Sequence, residues 1–177
     1  MLINQDDAIF LIIDIQEKLL NAVFNKEILE KKSKIMYEAA SKLGLPIFVT
    51  EQYPQGLGNT VLDLKDTDNV YIKTTFDALA DENLLTALKN TGKKQIIVSG
   101  IETHICVHQT VYSLIKNGFD VTVLIDVCGS RTEFEYNSGL SCMANNGAKL
   151  KTTEMVLFEL LKTAKHPEFK AIQALIK

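Results

Sequence analysis

Short apolar runs alternate along this chain with longer segments of helical period, and that alternation restricts the fold more than any other feature. The apolar runs occupy residues 8–13, 46–50, 69–72, 95–98, 121–125 and, more weakly, 149–152. Helical periodicity covers residues 26–43, 81–90, 103–117, 133–145, 153–164 and 166–177. An unbroken apolar run of four to eight residues suits a strand covered on both faces. A helix between successive strands supplies the crossover that parallel pairing requires. The expected architecture is therefore three-layer α/β/α around a central, mainly parallel six-stranded sheet. The segment 103–117 is the clearest helix, because Val107, Val111, Leu114 and Ile115 share one stripe and Asn117-Gly118 supplies the stop. No linker rich in Pro, Gly or Ser and no internal repeat divides the 177 residues, so a single domain over 1–177 is expected.

Charge and cysteine usage narrow the function classes. A net charge of −3 provides no basic stripe to neutralise phosphates, which argues against nucleic acid as a partner. The first apolar run stops at Asp14 after six residues, far short of the roughly twenty that a membrane span needs, so no membrane partner is expected. The N-terminal MLINQDD lacks a secretory pattern and the cysteine count is three, an odd number that does not suit a disulfide framework. A cytoplasmic protein with reduced thiols is the expectation. The stretch QYPQGLGNT at 52–60 reads as a loop, and its glycines do not open a helix after a strand as a dinucleotide fingerprint would. No cofactor is expected.

Ligands of open α/β sheets bind at the carboxyl ends of the strands, so the residues just past each apolar run carry the chemistry. The first run ends at Asp14, the second at Glu51, the third at Lys73, and the fourth leads through SGIETHI to Cys106 in the first turn of the clearest helix. Helix N-termini and nearby ammonium groups favour thiolate, which makes Cys106 the candidate nucleophile; a small buried apolar role is its alternative. Asp14 directly follows an apolar run, and a buried carboxylate needs a partner, which Lys73 can supply catalytically or as a structural ion pair. Cys128 and Cys142 read as packing residues.

Other readings fit less well. A cysteine phosphatase loop would place Arg six residues after the thiol, where Cys106 is followed by VHQTVY and Tyr112 holds the position. No pair of cysteines forms C-x-x-C. His104 and His108 are four apart but lack the H-E-x-x-H pattern, so no metal is expected; His104 is instead a candidate for the pocket rim.

The fragments FLIIDIQEKLL, YIKTTFDAL and VSGIETHICVHQTVYSLIKNGFDVTVLIDVCGSR resemble the three blocks of the isochorismatase-like cysteine hydrolases, a Rossmann-like fold, over almost the whole chain. The GIETHICV block, Ser130-Arg131 and the closing HPEFKAIQALIK look most similar to the isochorismatase domain-containing proteins. The resemblance implies a catalytic Asp–Lys–Cys triad at Asp14, Lys73 and Cys106. It also implies a non-proline cis peptide joining Ile101 to Glu102, which would help direct backbone N–H groups near Glu102 and Cys106 into an oxyanion hole.

Nicotinamidases of this superfamily hold a metal with an Asp-x-His arrangement and a second His. The matching region here, TEQYPQG, has no His. True isochorismatases cleave a vinyl ether without the cysteine, so Cys106 favours acyl chemistry on a small amide or related C–N bond through a thioester. Gln16, Phe76 and His104 are the candidate substrate-pocket residues. A binding or scaffold protein of the same fold and a thiol-based redox sensor are the rival readings. Relatives are commonly homo-oligomers, so self-association is expected. Cys106 is expected to be the most reactive of the three thiols, with slower labelling in Asp14→Asn and Lys73→Ala.

Overall fold

A computed structural model describes residues 2–177. Six parallel strands form its sheet in the order β3-β2-β1-β4-β5-β6. They are β1 (Ala8–Ile13), β2 (Ile47–Gln52), β3 (Val70–Lys73), β4 (Gln95–Ile101), β5 (Asp120–Gly129) and β6 (Lys149–Lys151). The helices are α1 (Glu17–Ala22), α2 (Lys26–Lys42), α3 (Pro54–Leu57), α4 (Glu82–Asn90), α5 (His108–Lys116), α6 (Glu133–Asn145), α7 (Thr153–Leu161) and α8 (Phe169–Ile176). All six strand positions agree with the apolar runs. The sequence did not announce α1, and the stretch read wholly as loop contains the single turn of α3.

Strand alternation sorts the core into two layers. On one face Phe10, Ile12, Ile47 and Val49 pack with α2, α7 and α8 through Leu29, Met36, Val156, Leu160 and Ile172. On the other, Ile9, Leu11, Ile13 and Phe48 meet Leu84 and Leu88 of α4, Val111 and Leu114 of α5, and Leu140 and Met143 of α6. β1 and β4 are buried along their entire lengths, which explains why both read as continuous apolar runs rather than alternating ones.

The chain leaves β1 toward β2 and β3, then returns to place β4 on the other side of β1. The β1/β4 boundary is thus the topological switch point, where a crevice opens at the carboxyl edge of such a sheet. A glycine lets the two strands approach there. Gly100 pairs with Ile13, adopts φ +152°, and a Cβ at this position would lie 2.3 Å from the Ile13 carbonyl oxygen. Among the described residues no helix is long and apolar enough to cross a membrane.

Candidate active site

The switch point gathers Asp14 and Cys106, and side-chain parity adds Lys73. Lys73 is in register with Gln52, and Thr50 with Ile13. Period-two alternation therefore puts Thr50, Gln52 and Lys73 on the face that carries Ile13. Simple continuation of β1 would send Asp14 to the opposite face. Instead Asp14 takes φ +51°, a left-handed conformation that Asp tolerates better than most residues, and the strand ends there. Its carboxylate then meets Thr50 and Lys73. The Thr50 hydroxyl donates to Asp14 Oδ1 at 2.7 Å, and Lys73 Nζ stands 2.6 Å from Oδ2.

This ion pair is almost inaccessible, with side-chain exposures of 3% for Lys73 and 0% for Asp14. Burial of that degree requires the remaining polar valences to be met. Lys73 Nζ also donates to Gln52 Oε1 at 2.6 Å and to the Thr75 carbonyl at 3.1 Å, with the Phe76 carbonyl at 3.5 Å. Gln52 and Thr75 take two of the ammonium's three N–H groups, which leaves the third toward Asp14 and the Cys106 thiol. Apart from its ionic contact, Asp14 Oδ2 has no hydrogen-bond partner among the described residues. It is the acceptor left to a neighbouring thiol.

Cys106 supplies that thiol. β4 leads through a cis Ile101–Glu102 peptide into a π-helical turn, Thr103–Val107, which runs directly into α5. The Glu102 carbonyl accepts from both Ile105 N and Val107 N, closing the wide turn. Cys106 is buried, and both Asp14 and Lys73 act on its thiol. Burial is the largest influence and the Asp14 carboxylate the next; together they outweigh Lys73 and push the thiol up to about 12. This corrects the expectation that helix position and ammonium would make a ready thiolate. At neutral pH the resting group is the thiol.

The surrounding residues fall into distinct roles. Gln16 is fully buried and its amide is occupied: Oε1 accepts from Gln52 N at 2.7 Å, and Nε2 donates to the carbonyls of Gln52 at 3.0 Å and Gly58 at 2.6 Å. It anchors the loop after β2 rather than presenting a free amide to a ligand. Phe76 exposes 55% of its surface while its carbonyl faces Lys73. His104 Nδ1 lies 3.0 Å from Ser130 Oγ and Nε2 is 3.7 Å from Glu135. His108 instead lines a surface groove with Asp77, Tyr112 and Asn146, so the two histidines do not share a site. No cluster of three or more His, Cys, Asp or Glu able to hold a metal occurs among the described residues.

Sequence reasoning passed over Thr50, Gln52 and the Glu102–Arg131 pair. Arg131 donates through Nε at 2.8 Å and Nη2 at 3.3 Å to the two Glu102 oxygens, which holds β5's exit against the cis peptide. The available signal for Thr50 and Gln52 was their i, i+2 spacing at the end of an otherwise apolar strand. Cys128 is completely buried, as expected of a packing residue, whereas Cys142 is exposed on α6.

Comparison with known proteins gives a consistent result. The isochorismatase domain matches residues 8–155. The chain is 38% identical to isochorismatase domain-containing protein 2 of Xenopus laevis, over 98% of this chain and 85% of that one. Among solved structures, a ribonuclease from Caenorhabditis elegans superposes with a TM-score of 0.91 at 34% identity, covering 99% of this chain and 92% of the other. The ycaC gene product of Escherichia coli, described as an octameric hydrolase of unknown specificity, superposes with a TM-score of 0.89 at 28% identity, covering 98% and 95%.

Proposed function

Because this chain belongs to the isochorismatase family of hydrolases, we propose that it is a cysteine-dependent hydrolase of a small amide or related C–N bond. The observation that carries the reading is the buried Asp14–Lys73 pair, with one carboxylate oxygen free of other partners, beside the Cys106 thiol. An ion pair buried this completely is a poor device for stability alone, because desolvation offsets much of its attraction.

The chemistry follows from the proton inventory. Cys106 Sγ attacks the substrate carbonyl carbon as its proton passes to Asp14 Oδ2, the two events being coupled because the resting thiol does not ionise near neutral pH. The carbonyl oxygen takes the negative charge. Lys73, beside the thiol, stabilises that charge electrostatically, and direct hydrogen bonds come from backbone N–H groups near Glu102 and Cys106. The C–N bond breaks as Asp14 returns the proton to the leaving amine, giving a thioester. Water then attacks the thioester with Asp14 as base, the acid leaves, and the proton goes back to sulfur.

Small neutral carbonyl substrates suit a site whose cations are already paired, Lys73 with Asp14 and Arg131 with Glu102. Cleavage of RNA, the activity in the description of the Caenorhabditis elegans structure, finds less support in a chain of net charge −3. Three unpaired cysteines suit a reducing, cytoplasmic location. Assembly into a homo-oligomer is part of the proposal, supported by the octameric Escherichia coli relative.

A screen of small amides, ureas and a short RNA with wild type and Cys106→Ala in parallel tests the function. Amide turnover that disappears in Cys106→Ala is the expected result. RNA cleavage dependent on Cys106, with no amide turnover, would replace the reading.

A further inference from the structure

Between Lys73 and the loop after β2 stands one residue that no step of the chemistry uses. Gln52 Oε1 accepts from Lys73 Nζ at 2.6 Å and its Nε2 donates to the Thr74 carbonyl at 2.9 Å. Its main chain is fixed on both sides, the N–H donating to Gln16 Oε1 and the carbonyl accepting from Gln16 Nε2. Gln16 is itself tied to Gly58, and Glu17 N bonds to Asn59 O. Gln52 is therefore a rigid acceptor, immobilised by the end of β1 and aimed at a buried ammonium.

Lys73 reaches Asp14 from two strands away, across β2, on a flexible four-carbon stem. Asp14 alone would leave the ammonium free to pivot about that contact. The neutral amide oxygen of Gln52 fixes its second direction and the Thr75 carbonyl its third. A neutral acceptor here fixes Lys73 without offsetting the positive charge that Asp14 and the thiol experience. A carboxylate at the same place would divide that charge.

We propose that Gln52 is a positioning residue of this site, whose side-chain carbonyl holds Lys73 in the one orientation that serves Asp14 and Cys106 together. The inference rests on the Asp14–Lys73–Cys106 reading of the site and extends it to a fourth side chain. It gives β2 a defined part: Thr50 orients the carboxylate and Gln52, two residues on and on the same face, orients the ammonium.

The test is a double-mutant cycle read at the Cys106 thiol, which needs no substrate. Wild type, Gln52→Met, Lys73→Met and the double variant are alkylated with iodoacetamide at pH 9 and peptide-mapped by mass, with exposed Cys142 as the internal reference. Lys73 favours the thiolate, so Lys73→Met slows Cys106 labelling. Gln52→Met is expected to slow it about tenfold in the wild-type background and by less than twofold when Lys73 is already absent. Equal slowing in both backgrounds, or none in either, overturns the proposal. Gln52→Asn, which keeps the amide but shortens its reach, replaces Gln52→Met if the latter does not fold. Loss of the expected Cys106-dependent turnover with an intact cycle would remove the hydrolase reading and leave the role of Gln52 standing.

Discussion

Asp14 shows how one backbone angle decides what a residue can do. In a regular strand its side chain would enter the layer of Phe10 and Ile12, far from any base or thiol; at φ +51° it turns onto Thr50 and Lys73. The same carboxylate raises the Cys106 thiol, which separates two quantities that the sequence alone would join. Asp14→Asn removes the proton acceptor, and kcat/KM is expected to fall by about 10²–10⁴. It also removes an anion beside the sulfur, so iodoacetamide labelling of Cys106 at pH 9 should become faster than in wild type. The sequence-based expectation was slower labelling. Peptide mapping of the two proteins at one pH decides between them, and an unchanged kcat/KM in Asp14→Asn would show that Asp14 does not act as the base. In native protein Cys142, being exposed, should be the first thiol modified.

At the scale of elements, the nucleophile depends on how closely α6 approaches the π-helical turn. Gly139 makes the approach: a Cβ there would lie 2.9 Å from the Cα and N of His104 and 3.0 Å from the Thr103 carbonyl carbon. All three atoms are backbone, so the turn that carries Cys106 must move to admit a methyl group. Gly139→Ala is expected to cost about 1–3 kcal/mol in a urea titration and to lower kcat more than that loss of folded protein explains. An unchanged kcat in folded Gly139→Ala would show that the turn can shift without disturbing the thiol. On the other side, Asp77 accepts from Ser113 of α5, and Thr110 of α5 accepts from Ala78 N. These bonds fasten the segment that offers its carbonyls to Lys73 onto the helix that follows Cys106. Lys73 and Cys106 are thus set by one structural unit although 33 positions separate them.

For the whole molecule, buried acids and thiols govern stability at high pH. The completely buried Cys128 is pushed from 9.0 up to about 12 by burial. Below pH 9 both folded and unfolded chains hold this proton and stability is unaffected. Between pH 9 and 12 the unfolded chain releases it while the folded chain retains it, so folding free energy declines by about 1.4 kcal/mol per pH unit from this group. Urea midpoints measured from pH 8 to 11 are expected to fall, and less steeply in Cys128→Ala, whose own cavity cost appears equally at every pH. Parallel slopes in the two proteins would assign the alkaline loss elsewhere, with Cys106 and Tyr136, both also raised by burial, the next groups to replace.

The positions and parallel type of the strands were legible in the sequence because β1 and β4 are buried on both faces and therefore apolar throughout, whereas the order β3-β2-β1-β4-β5-β6 came only from the tertiary structure. Asp14, Lys73 and Cys106 were visible because each ends or follows an apolar run, although the β3 run before Lys73 is largely exposed in the fold. Thr50 and Gln52 were not, since a Thr and a Gln ending a strand look like ordinary polar punctuation until Lys73 is seen to cross above them. Gln16 appeared as a pocket residue, and only the folded loop reveals its amide as already engaged. The thiol's state lay furthest from the sequence. Helix position is a local feature that favours thiolate, whereas burial and the nearness of Asp14 and Lys73 are set by the packing of the strands and helices, and of these burial and Asp14 outweigh Lys73.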